Sequence, residues 1–147
     1  MSIFNTLKAL NLLCWDVMLI GFKKNWINRD DISDYAVELL LCDENDENVI
    51  LIASCNFYDD SEVLSLLGKL ANNQLAFSGL DRWRLASLVN ISNADLNDQK
   101  KMDLLQEVYS RYDYPEDMSG CSKYSQESID PLTAMKKLID NLIMKSK

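Results

Sequence analysis

Histidine is absent from the 147 residues. Its absence excludes imidazole general bases, Ser-His-Asp and Cys-His nucleophiles, and His-containing metal sites. No Gly-rich phosphate loop, nucleophile elbow or Cys-x-x-Cys pair occurs either. Carboxylate pairs and four cysteine ligands remain formally available, and no cofactor is expected. Two prolines and four glycines leave no linker-like stretch, so residues 1–147 are read as a single domain. Long apolar runs are missing too. The best, Leu12 to Phe22, contains Asp16 and is closed by Lys23 and Lys24, which is too short to span a bilayer. Met1 to Ala9 lacks the basic opening of a secretory signal. The expectation is a soluble, cytoplasmic protein with no membrane insertion.

What the chain does contain is the material for a core. Apolar residues make up 48% of it, and a chain of this length buries roughly two thirds of its unfolded surface. Cys14, Cys42, Cys55 and Cys121 are dispersed, a pattern of reduced thiols rather than of a disulfide framework. The first three stand in apolar surroundings and read as core positions, whereas Cys121 reads as the most exposed.

Helical periodicity runs through most of the chain. Ile3, Leu7, Leu10 and Cys14 recur at helical spacing, and Val17, Met18 and Phe22 continue it. Asp30 or Asp31 is placed to cap a helix with a stripe through Ile32, Tyr35-Ala36 and Leu39-Leu40. Val49-Ile50-Leu51-Ile52-Ala53 has the β-branched content of a buried strand, yet its neighbours favour a helix, the assignment adopted here. Asp59 with Glu62 forms a capping pair before Val63, Leu66, Leu67 and Leu70, and Ser78 with Asp81 opens a further helix. Gly68 is read as a point of close packing. Met102, Leu105, Val108-Tyr109 and Tyr112 make another stripe, and Asp130-Pro131 starts the last helix with proline in its favoured first position. Some six or seven helices and no hairpin pattern predict an all-α domain, a compact multi-helix fold of stacked antiparallel helix pairs.

Charge is the feature that rises above a generic helical domain. From Asp30 to Gly68 there are eleven acidic residues and no lysine or arginine; the rest of the chain carries fifteen bases against twelve acids. Caps explain Asp31, Asp59 and Asp43, but a base-free stretch of this length also attracts a basic partner and repels nucleic acid. The acids assigned to such a partner are Asp43, Glu44, Asp46, Glu47, Asp59, Asp60 and Glu62. Asp43, Asn45 and Glu47 lack the glycine and the terminal Glu spacing of a calcium loop. Asp113 with Glu116 or Asp117 is a formal carboxylate pair, without the defined separation that glycosidase chemistry needs.

The stretch Tyr112-Asp113-Tyr114-Pro115-Glu116-Asp117-Met118 is distinctive. Pro115 suits the first position of a short helical turn, with Glu116 and Asp117 at its N–H groups and Gly120 at its end. Tyr112 and Tyr114 are placed to anchor that turn to the neighbouring helix, and Tyr114, Glu116 and Asp117 join the candidate partner contacts. Together with Tyr124 and an opening that holds Trp15, Gly21, Trp26-Ile27, Asp30-Asp31 and Tyr35-Ala36, this stretch resembles a family of small conserved, uncharacterised bacterial proteins. The resemblance implies an α-helical domain without known catalytic residues. It also implies a role seen beside secreted or contact-delivered toxins, that of an immunity protein binding a cognate toxin domain. A basic toxin such as a nuclease fits the acidic surface. A non-catalytic helical adaptor and a carboxylate-dependent enzyme are the alternatives.

Overall fold

A computed structural model describes residues 3–43, 45–71, 78–121 and 130–146. Among them the regular structure is entirely helical: α1 (Ile3–Ala9), α2 (Trp15–Lys23), α3 (Arg29–Leu41), α4 (Glu47–Ile52), α5 (Asp60–Leu70), α6 (Gly79–Asn93), α7 (Asp98–Arg111) and α8 (Pro131–Lys145). Two 3-10 turns, Cys55–Phe57 and Glu116–Cys121, complete it. The ambiguous apolar run at 49–53 falls in and just after α4, as a helix rather than a strand. Among the described residues no helix is long and apolar enough to cross a membrane.

Side-chain caps set where the helices begin. Asn28, Asp46, Asp59, Asn97 and Asp130 each accept a hydrogen bond from a backbone N–H in the first turn of α3, α4, α5, α7 and α8, satisfying donors that a helix start leaves without partners. For α3 the cap is Asn28, with Asp31 returning the reciprocal bond to the Asn28 N–H. This corrects the assignment of the cap to Asp30 or Asp31.

Helix ends use a device that suits a glycine-poor chain. Asn11, Asn25 and Asp113 take left-handed φ values of 59°, 60° and 61° just past α1, α2 and α7, a conformation that Asn and Asp tolerate better than most residues. Each lies in a Schellman motif. The N–H groups of Leu12, Trp26 and Tyr114 reach back to the carbonyls of Leu7, Gly21 and Tyr109 at 2.9, 2.8 and 2.8 Å.

Two compact units result, Leu13–Leu80 and Met1–Leu12 with Asp81–Lys147. In the first, α5 packs on α2 and α4, and α3 packs on α4, burying Val17, Met18, Ile32, Ile52, Val63 and Leu67. Gly79 supplies the close approach in this unit: a Cβ there would lie 2.8 Å from Ile20 Cδ1. Gly68, read as the close-packed glycine, is exposed with open space around it. In the second unit α8 and α7 pack on the 116–121 turn, and Trp83, Leu88, Leu105, Met118, Met135 and Leu142 are buried.

Candidate partner-binding surface

The charge excess belongs entirely to one unit. Residues 13–80 hold twelve acids and four bases, a net charge of -8, while the other unit holds eleven of each. The acids are also on the surface. Of the ten described acids from Asp30 to Glu62, all except Asp31 are exposed.

Packing of α3 against α4 arranges them. Ser33 Oγ donates to the Ala53 carbonyl at 2.7 Å and Asn56 Nδ2 to Asp30 Oδ1 at 3.3 Å, so the start of α3 lies beside the end of α4 and the two run antiparallel. Arg29 clamps this end. Its guanidinium donates to the Cys55 carbonyl at 2.8 Å, to the Tyr58 carbonyl and to the Asp60 carboxylate, which satisfies carbonyls of the 3-10 turn and ties it to the start of α5. A groove of about 730 Å³ lined by Phe22, Asn28, Arg29, Asp30, Asn56 and Asp60 opens beside the clamp.

The sequence-assigned acids fall into two groups in this unit. Asp59, Asp60 and Glu62 sit at the start of α5, near the Arg29 end of α3: Asp59 caps α5 through the Glu62 N–H, and Asp60 pairs with Arg29. Asp43, Asp46 and Glu47 lie past the other end of α3, roughly 18 Å away by helical rise. Asp43 is exposed with φ 68°, Asp46 caps α4 and Glu47 stands in its first turn. Glu44 lies outside the described residues.

Between the two groups runs a surface that the sequence reading missed. Asp34, Val37, Glu38 and Leu41 share the exposed side of α3, and Glu47, Ile50 and Leu51 that of α4. Leu41 is 80% and Phe57 89% exposed. The signal was present in the sequence as apolar residues at three- and four-residue spacing on a face already occupied by acids.

Tyr114, Glu116 and Asp117 belong to the other unit. There the Tyr-Asp-Tyr-Pro stretch is a helix end followed by a pinned turn. Tyr112 is buried with its hydroxyl 3.4 Å from Ser87 Oγ, and burial raises its pKa. Tyr114 is exposed, edge-on to Tyr109 at 5.0 Å. The Asp117 carboxylate receives both Nη groups of the buried Arg84, one at 3.0 Å, and Asp81 Oδ1 lies 3.0 Å from the same guanidinium. Glu116 is exposed. A separate cavity of about 610 Å³, lined by Thr6, Asn90, Leu104 and Val108 among others, contains none of the assigned residues.

The cysteine assignments need correction. Cys55 is buried, and burial raises the pKa of its thiol, which donates to the Arg29 carbonyl at 3.2 Å. Cys14 is half-buried and Cys42 exposed, because Cys42 is the C-cap of α3 and leaves its buried face. Cys121, expected outside, is buried at the end of the 116–121 turn, where Gln106 Nε2 donates to its carbonyl at 2.9 Å. All four are free thiols. Among the described residues no three Cys, Asp or Glu side chains converge as metal ligands would.

Neither the curated proteins nor the solved structures contain a match to the chain. A family profile does match, from residue 4 to residue 143, and so covers the Trp15-to-Ala36 opening, the 13–80 unit, nearly all of the other unit and the Tyr112-to-Met118 helix end. The chain therefore belongs to the family described as uncharacterized protein conserved in bacteria (DUF2247).

Proposed function

We propose that this protein is a non-catalytic immunity protein that neutralises a basic bacterial toxin domain by stoichiometric binding through the 13–80 unit. The observation that supports this reading is the confinement of the whole net charge of -8 to that unit. Exposed like charges on one unit repel and weaken the folded state, so their retention is more readily understood if a complementary surface gains from them. Such a surface steers a basic partner into encounter and disfavours nucleic acid, the substrate that a nuclease toxin itself would engage.

The test is co-expression with a toxic C-terminal domain encoded beside this chain. Protection of the cells, together with a complex of one copy of each protein on size exclusion, is the expected outcome. Equal cell death with and without this chain, both proteins being soluble, overturns the reading.

A further inference from the structure

Apolar side chains on the acidic unit are not confined to its core. Val37 and Leu41 lie one helical turn apart on the exposed side of α3, and Ile50 and Leu51 on that of α4, with Phe57 beyond the end of α4. Their nearest sequence neighbours on the same faces are Asp34, Glu38 and Glu47, all exposed. Water-facing positions with no packing duty are ordinarily polar, and large apolar residues on the exposed sides of two neighbouring helices, interleaved with charge, suit contact with a partner.

We infer that the outer face of the α3/α4 hairpin is a docking surface for a partner helix that carries an apolar stripe flanked by Lys or Arg. Two antiparallel helices present ridges and a groove that accept a third helix, whose side chains at three- and four-residue spacing meet Val37, Leu41 and Ile50. The rim selects the charge of the occupant. A second copy of this chain would bring a unit of net charge -8 against another, and like-charge juxtaposition disfavours that arrangement, whereas a basic helix neutralises the rim while burying the apolar centre. Phe57 and Leu41, at 89% and 80% exposure, have the most surface to gain from such contact. This inference takes its basic partner from the function proposed above, but its test does not involve a toxin.

The probe is a fluorescein-labelled amphipathic peptide of Leu and Lys, about five helical turns long, compared with Leu/Glu and Ser/Lys counterparts by fluorescence anisotropy. The Leu/Lys peptide is expected to bind, and the Leu41→Ser/Phe57→Ser variant to bind it about tenfold or more weakly. The Ser/Lys peptide should lose as much affinity on the wild type, and the Leu/Glu peptide should not bind. Equal affinity of the variant, equal binding of Ser/Lys, or binding of Leu/Glu overturns the inference. Hydrogen exchange supplies a readout that needs no variant: the peptide should slow the amides of α3 and α4, and protection elsewhere alone counts against the site. A wild-type dimer in sedimentation that the variant dissolves would assign the face to a second copy, again overturning it. Loss of toxin protection alone, with peptide binding intact, rejects the proposed function and leaves this surface standing.

Discussion

Replacing Asp117 by alanine tests whether the turn after α7 is held by charge. Arg84 is the buried member of the pair: its side chain is 7% exposed, against 40% for Asp117 and 42% for Asp81. Its Nε has no hydrogen-bond partner, so the two Nη groups carry all of its compensation. Removing one partner of a fully buried ion pair costs about 3–5 kcal/mol. Here the carboxylates are partly hydrated and Asp81 remains, so screening lowers the expected loss to about 2 kcal/mol. For a chain of this size that corresponds to a fall in Tm of about 6 °C. Arg84→Met should cost less, about 1 kcal/mol or below, because it keeps the buried stem and releases two carboxylates that water can solvate. Urea unfolding of both variants and of the double variant measures the asymmetry. A loss under about 0.5 kcal/mol for Asp117→Ala, or a larger loss for Arg84→Met, refutes the argument. The result also bears on binding: an Asp117 variant that weakens a partner while lowering Tm in this way acts through the fold.

Three further outcomes follow from the packing. Burial, with the negative charges of Cys14 and Glu38 adding to it, pushes the Tyr35 phenol from 10.0 up to about 12. The folded state therefore holds that proton more tightly than the unfolded chain, and stability present below pH 10 should be lost as pH rises towards 12. Thermal melts across this window should show a shallower decline for Tyr35→Phe. Gly68→Ala, in the open interior of α5, should raise stability by about 0.5–1 kcal/mol in urea titrations, and a loss would contradict the space seen there. With native protein, a thiol reagent followed by peptide mapping should modify Cys42 first and reach Cys55 and Cys121 only on unfolding, the order set by their exposure.

Much of the helical layout was legible because its determinants are local. A cap reads the third residue after it, and a stripe reads positions three and four apart, so Asp59 and Asp130 and the stripes of α5, α7 and α8 could be placed from the sequence. At α3 the local signal was ambiguous, since Asn28, Asp30 and Asp31 all have capping side chains within four positions, and the cap in the structure is Asn28 with Asp31 reciprocating. Gly68 and Cys121 were misjudged because burial depends on which neighbour arrives from elsewhere. Open space surrounds the first, and the 116–121 turn, packed on α7 and α8, buries the second.

The sequence by itself determined that the chain is helical, where α5, α6 and α8 start, and that its negative charge is concentrated in one stretch, since propensity, capping and composition act over a few neighbouring residues. Only the tertiary structure decided which of those charges are engaged. Arg29 reaches Asp60 across 31 positions and Arg84 reaches Asp117 across 33, contacts that no local pattern encodes. The same packing turned Ile32 and Ala36 inward and left Val37, Leu41 and Phe57 facing water among the remaining acids, because a helix has two sides and only its neighbours determine which one is covered.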